Sequence, residues 1–212
     1  MATKSTEAPR RPYELGKRLE QMEQSRAAIL RAARSQLEAN GYRQLTMGSL
    51  AAESGVTRQT IHNLFGTKAG VLEALFDLIA LDGGMESMRH VMTLSSTEAM
   101  LEGFVKVFCR FWSSNRMLLR RIHGIGAIDP EFGTVIEARN GRRYRAAKRI
   151  VSRMGAGHLD ERASTLAALT SFEFFDAMAD NLRDEKRAAA VVLDLTRKML
   201  DGSEKLSSLK PS

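Results

Sequence analysis

The sequence has very few cysteines, prolines and aromatic residues. Among its 212 residues there is one cysteine, Cys109, with four prolines and an aromatic fraction of 6%. A single cysteine can form neither an internal disulfide nor a zinc site built from clustered cysteines, which fits a reducing compartment. We therefore expect a cytoplasmic protein in which Cys109 is a packed residue rather than a nucleophile.

Long hydrophobic runs and patterns of catalytic or metal-binding residues are also missing. Charged residues interrupt every apolar stretch, so we expect no membrane span, and the polar N-terminus predicts no signal peptide. The four histidines are far apart, and there is no HExxH motif, paired-carboxylate pattern or glycine-rich phosphate loop. We expect a protein that is not an enzyme and has no metal site and no cofactor.

Positive charge and helical periodicity are what the sequence does contain. The formal net charge is +7, which favours a polyanionic partner because lysines and arginines at phosphates release condensed counterions. A solvated basic surface without such a partner is the alternative. Apolar residues recur at helical spacing and no segment is β-rich, so the predicted fold class is all-α.

Composition divides the chain into four predicted segments. The polar ends predict a flexible basic N-terminal arm over 1–24 and a disordered tail over 203–212. Within the arm, residues 13–24 could form a charged helix, and whether the arm touches DNA is open. Residues 25–80 predict a three-helix head and 81–202 a helical bundle, with about nine helices in all.

Residues 50–65 have the spacing of a helix-turn-helix. Ala51 is small where two crossing helices would touch, and Gly55 supplies the sharp turn four residues later. Val56 and Ile61 would dock the second helix on the first. The outward face of that second helix then fits the major groove of DNA.

Eight residues are candidates for the DNA contact. Arg58 and Gln59 are the expected base readers, because arginine pairs with guanine and glutamine with adenine through two bonds each. Lys68 would place a point charge on the phosphate backbone. The other candidates lie at helix starts or on the outward face: Thr46, Thr57, Thr60, His62 and Asn63. For the threonines, N-capping explains the residue type equally well.

Over residues 25 to 76 the sequence resembles the TetR/AcrR family of transcriptional regulators. The residues that match in order and spacing are Ile29, Ala32, Ala33, Gly41, Leu45, Thr46, Met47, Leu50, Ala51, Gly55, Val56, Thr57, Thr60, Ile61, Phe65, Thr67, Lys68 and Leu72. The chain departs from the family at His62, a position that is usually tyrosine and typically touches a phosphate. Beyond this segment the similarity is one of length and helical pattern.

The resemblance implies a ligand-responsive repressor that binds a pseudo-palindromic DNA operator as a homodimer. The dimer would use two long helices predicted over 160–181 and 184–200, which pair into a four-helix bundle. A small effector would bind among dense apolar residues of the body: Phe104, Phe108, Phe111, Trp112, Met117, Ile122, His123, Phe172 and Phe175. We expect a hydrophobic effector, with His123 and Glu173 as candidate polar handles.

Several alternatives stay open from the residues alone. An all-helical enzyme with a chance helix-turn-helix pattern would need a convergent catalytic set, which the sequence does not show. A head that acts on a protein partner, and an activator in place of a repressor, are further possibilities. For the body, the alternatives are a plain apolar core and a monomeric helical hairpin.

Overall fold

The computed structural model describes residues 11–155 and 157–201, and their side chains over 16–155 and 157–199. This described part forms eleven α-helices and two 3-10 helices and contains no strand. The predicted all-α class is confirmed, although the number of helices is larger than the nine predicted. No helix in this part of the chain is both long enough and apolar enough to cross a bilayer.

The helices follow one another with short connections. Their bounds are α1 (Arg11–Ala39), α2 (Met47–Ser54), α3 (Arg58–Phe65), α4 (Lys68–Asp82), α5 (Met88–Val91), α6 (Thr97–Ser114), α7 (Arg116–Ile128), α8 (Pro130–Arg153), α9 (Leu159–Leu169), α10 (Phe172–Leu182) and α11 (Glu185–Asp201). The 3-10 helices are Tyr42–Gln44 and Met85–Ser87. The chain divides into one compact unit that ends at Leu75 and a second that begins at Phe76.

The first helix is longer than predicted. We expected it to begin near Ser25, whereas α1 begins at Arg11, so residues 11–24 of the predicted flexible arm are helical. Residues 16–24 are all exposed, and they continue the packed part of α1 because most of them are strong helix formers. The rest of the arm and the predicted tail lie outside the described residues.

The core of the first unit is built on α1. Ile29, Ala33 and Leu37 recur every four residues on one face of the helix and are fully buried. Leu50 from α2 and Ile61 from α3 are also fully buried, and both of their helices contact α1. This packing leaves the opposite faces of α2 and α3 free for the polar residues that surround the predicted turn.

The second unit is arranged around α6, which contacts α5, α7, α8, α10 and α11. Its buried side chains are Met100, Leu101, Phe104, Val105, Val107, Phe108, Cys109, Phe111 and Trp112. The indole Nε1 of Trp112 donates to the carbonyl of Thr170 at 3.0 Å. Burial raises the pKa of the Cys109 thiol to about 12, which fits the expected packed residue and disfavours the reactive thiolate.

The long helix predicted over 160–181 is in fact two helices, α9 and α10, which meet at Thr170 and Ser171. The Thr170 hydroxyl donates to the carbonyl of Leu166 at 2.7 Å, and the Ser171 hydroxyl accepts from the N–H of Phe174 at 3.1 Å as the N-cap of α10. Hydroxyl side chains compete with the helical backbone in this way, so the pair ends one helix and starts the next. The prediction of one helix here is wrong.

Candidate nucleic-acid interface and internal cavity

The connection between α2 and α3 is a tight turn at Gly55. Its φ is 71°, in the left-handed region that favours glycine, and its N–H donates to the carbonyl of Ala51 at 3.1 Å. The turn predicted from the sequence is therefore present at the predicted residue. It ends α2 and lets the chain begin α3 three residues later.

Hydroxyl caps fix where α2 and α3 begin. The Thr46 side chain accepts from the N–H of Ser49 at 3.0 Å while the Ser49 hydroxyl accepts from the N–H of Thr46 at 2.9 Å, which forms a capping box. The Thr57 side chain accepts from the N–H of Thr60 at 3.1 Å. Capping is thus one role of both threonines, and it holds the start of each helix at the surface.

The polar face of α3 carries the predicted base readers. Arg58, Gln59, His62 and Asn63 are exposed, whereas Ile61 is fully buried. The amide of Gln59 donates to the Asn63 side chain at 2.8 Å, one turn further along the helix. Since α3 contains no acidic residue, nothing on this face repels a polyanion.

Two cations near this face are held by neighbours that the sequence analysis did not single out. The guanidinium of Arg58 lies against Gly48 of α2, so closely that an added Cβ there would come within 2.6 Å of Nη2. The ammonium of Lys68 lies 3.7 Å from the ring centroid of Tyr42, a cation–π contact. Gly48 gives the arginine room, and Tyr42 orients the lysine.

Two further features of α1 bear on this unit, and the first of them was missed from the sequence. Gln36 is buried, and it joins α1 to α2 because its Nε2 donates to Glu53 and its Oε1 accepts from Ser49, both at 2.8 Å. A polar residue on an apolar helix face was the available signal. Arg18 from the extended start of α1 lines a groove together with Thr57 and Asn63, so one basic residue of the predicted arm lies beside α3.

The second unit contains a partly open cavity of about 330 Å³. Five of the nine residues predicted for an effector site line it: Phe104, Phe108, Phe111, Trp112 and His123. Met117 does not, because 61% of it is exposed on the outward side of α7. Ile122, Phe172 and Phe175 are buried in the surrounding core rather than at the cavity surface.

Arginines from α8 form the polar side of the cavity, and their place there was not predicted from the sequence. Arg139, Arg142 and Arg143 all line the cavity, with Asn140. Their spacing on the helix repeats at three to four residues, which was the available signal. Arg139 is paired with Asp77, to which its Nη2 donates at 2.7 Å, and its guanidinium lies 4.3 Å from the ring centroid of Phe76.

His123 is tied to α10 by one ring nitrogen. Its Nδ1 lies 2.8 Å from Oε1 of Glu173, and this hydrogen bond holds the pKa of Glu173 low, at about 2. Because Glu173 is ionised and can only accept, Nδ1 must be the donor. The other ring nitrogen, Nε2, is buried with no hydrogen-bond partner among the described residues. Of the two predicted handles, His123 lines the cavity and Glu173 does not.

Residues 29–75 match the sequence model of the tetR family of bacterial regulatory proteins. Over this segment the chain is similar to the TetR family. A comparison with curated proteins finds no match.

Solved structures share the TetR-family fold over most of the chain. A TetR transcription regulator from Haloarcula marismortui is 16% identical over 85% of this chain and 98% of its own, with a TM-score of 0.66. A TetR-family regulator from Syntrophomonas wolfei is 14% identical over 84% and 95%, with a TM-score of 0.67. NalD of Pseudomonas aeruginosa, a secondary repressor of a multidrug efflux pump, is 17% identical over 84% and 96%, with a TM-score of 0.66. The described part of the chain therefore has a TetR-like fold.

Proposed function

We propose that this protein is a ligand-responsive repressor of the TetR family that binds a pseudo-palindromic operator as a homodimer. The observation that carries the proposal is the geometry of α2 and α3. Both helices begin at hydroxyl caps, they are joined by the left-handed Gly55, and α3 presents an exposed face without acidic residues. Such a face fits the major groove. Operator binding requires the protein to act where the DNA lies, in the cytoplasm.

The proposed DNA contacts divide into phosphate and base contacts. The N-termini of α2 and α3, at Thr46 and Thr57, would bind phosphates through free backbone N–H groups, and Lys68 would add a point charge. His62 would donate a ring N–H to a phosphate in place of the family's tyrosine. Arg58 would swing away from Gly48 to reach a base edge. Gln59 and Thr60 would reach bases as well, together with Asn63.

Substitutions should separate these two kinds of contact. With an operator defined by selection from random duplexes, Arg58→Ala or Gln59→Ala should cost about 1–3 kcal/mol at one base position and relax the preference there. Lys68→Ala should weaken binding to all sequences alike. It should also reduce the slope of log affinity against log salt concentration by about one unit. Fluorescence anisotropy against single-base operator variants measures both effects. Arg145→Ala, which removes an exposed arginine of α8, is the control and should bind as the parent does.

The homodimer is proposed through α10 and α11. Leu195 is 37% exposed, and Phe174, Met178 and Val191 are only partly buried within one chain. Apolar side chains on two adjacent helices are what a four-helix dimer seam would cover. A two-fold pairing also suits the function, because one helix-turn-helix reads few bases and two half-sites supply the affinity.

Leu195→Glu should yield monomers in sedimentation experiments, because the dimer would bury the carboxylate at the seam. Operator affinity should fall about a hundred-fold, since the two half-site contacts would no longer be linked. Leu81→Glu changes an exposed leucine of α4 and is the matched control, which should remain dimeric. A Leu195→Glu protein that sediments as a dimer would place the interface elsewhere.

The proposed response to an effector uses α4. This single helix begins at the proposed phosphate contact Lys68, and further along it Phe76, Asp77 and Ala80 line the cavity. An effector that prefers one packing of the cavity wall would move α4 and thereby the recognition helix of each subunit. Such coupling needs different affinities for the two states, because a ligand that binds both equally shifts nothing.

A further inference from the structure

The effector cavity of the second unit also indicates what charge its ligand carries. We propose that the ligand is an organic anion, a hydrophobic carboxylate whose head group binds Arg143 and His123 and whose apolar body lies against the aromatic side chains of α6. The proposal rests on the proposed function, in which this cavity is the effector site. It makes more specific the expectation, drawn from the apolar residues, of a hydrophobic ligand with one or two polar handles.

The aromatic wall is suited to an apolar body of moderate size. The ring centroids of Phe104 and Phe108 are 4.9 Å apart and those of Phe108 and Trp112 are 5.8 Å apart, so the three rings form one continuous surface. A cavity of about 330 Å³ lies at the lower end of the range of about 300–1,000 Å³ that small-molecule sites occupy. A carboxylate with a chain of about ten carbons matches that volume.

Arg143 is a buried cation without a carboxylate of its own. It is only 9% exposed, and its Nε donates to the carbonyl of Ala167 at 3.2 Å. No other hydrogen bond or ion pair joins its guanidinium to a described residue, and burial lowers its pKa while the more distant charge of Glu173 opposes that effect. An arginine remains charged even so, and its two terminal nitrogens suit a bidentate carboxylate.

His123 supplies a second unsatisfied group at the same cavity. Because Glu173 holds Nδ1, the ring is fixed and Nε2 is the free nitrogen, buried and without a hydrogen bond in the described part of the chain. Buried polar atoms in native proteins nearly always have partners, and in this proposal the head group of the ligand is the partner of Nε2. In an imidazolium ring both nitrogens are donors, so Nε2 can donate to a carboxylate while Nδ1 donates to Glu173.

The remaining charged groups of the lining agree with a negative ligand. Asp77 is the one acidic residue among the lining side chains, and it is already paired with Arg139. Arg142 is exposed and adds a further positive charge. A cationic ligand would meet unbalanced arginines, and a neutral one could hydrogen-bond to these groups but would leave the buried charge of Arg143 without a counter-ion.

Three probes with the same chain and different head groups test the charge directly: decanoate, 1-decanol and decylammonium, each below its micelle concentration. Trp112 is the only tryptophan in the sequence and lines the cavity, so its fluorescence reports occupancy in the intact protein. We expect decanoate to bind about ten- to a hundred-fold more tightly than decanol, the range expected for hydrogen bonds to charged groups. Decylammonium should bind most weakly. Equal binding of decanoate and decanol, or tighter binding of decylammonium, would overturn the proposal.

Two arginine variants locate the head group. Arg143→Met should abolish most of the preference for decanoate over decanol. Its affinity for decanol should stay within about two-fold of that of the parent protein. Arg145→Met removes an exposed arginine from the same helix and should leave the preference intact. If decanoate binds as expected but operator affinity does not change, the ligand assignment stands and the proposed regulation fails. If the operator is bound but the wild-type protein shows no preference for decanoate, only the ligand assignment fails.

Discussion

Gly70→Ala is expected to unfold the first unit or to distort it so far that operator binding is lost. A Cβ at position 70 would lie 2.0 Å from the carbonyl oxygen of Phe65, the last residue of α3. That oxygen cannot move freely, because it accepts from the N–H of Thr67 at 2.8 Å. The added methyl must therefore push α3 away from α4, at a cost of about 3 kcal/mol or more in the free energy of unfolding.

Gly48→Ala is the matched control within the same unit. Its Cβ would also meet an atom at short distance, 2.6 Å, but that atom is Nη2 of Arg58, the free end of a flexible side chain. The arginine can turn away, and alanine favours a helix over glycine by about 1 kcal/mol, so stability should be unchanged or slightly higher. Urea unfolding measures both variants. Equal midpoints for the two would show that the α3–α4 junction tolerates a methyl group.

The local chemistry of the first unit was predictable from the sequence. Gly55 adopts the expected left-handed turn, and Thr46 and Thr57 cap the expected helices. Each of these is decided by a few neighbouring residues, through backbone conformation or a side-chain hydrogen bond. The requirement for Gly70 was not predictable, because it arises where the backbones of two helices meet, and no residue pattern marks that approach.

Helix ends that depend on weak local preferences were predicted less well. The start of α1 is set by a polar run without an apolar stripe, so periodicity gave no signal before Ser25. At Thr170 and Ser171 the apolar periodicity continues through the junction, but two hydroxyl side chains bind the backbone and divide the helix. Periodicity reports which face is buried, and it does not report a break that keeps the same face inward.

Helical periodicity also could not predict which residues line the cavity. Apolar residues of α6 were correctly expected to lie together, but periodicity cannot separate a cavity wall from plain core, as Ile122 and Phe175 show. The arginines of α8 would be expected in solvent on composition alone. Arg143 instead lies inside because its helix presents Ala147 and Ile150 to the core on the same face. The basic character of the cavity becomes visible only when α8 is seen packed against α6.

Asp176→Ala is also expected to lower the free energy of unfolding strongly, because it leaves two arginines without their main partner. The Asp176 carboxylate, on α10, accepts from Nε of Arg116 and from Nε of Arg120, both at 2.7 Å. Its side chain is 15% exposed and that of Arg116 is 14% exposed, so the pair is largely withdrawn from water. Removal of one partner of such a pair costs about 3–5 kcal/mol, and we expect the lower end because Asp180 still bonds both arginines.

Asp194→Ala supplies the comparison for an exposed ion pair. Asp194 forms an ion pair with Lys198 at 2.7 Å, one turn along α11, but its side chain is 56% exposed. Its removal should therefore lower the free energy of unfolding by less than about 1 kcal/mol. The Asp176 network joins α7 to α10, one of the two helices proposed for the dimer. Asp176→Ala should therefore also weaken the dimer at temperatures where the chain is still folded. Sedimentation under those conditions distinguishes this effect from global unfolding: a variant that is less stable yet equally dimeric would show that the network does not position α10 for pairing.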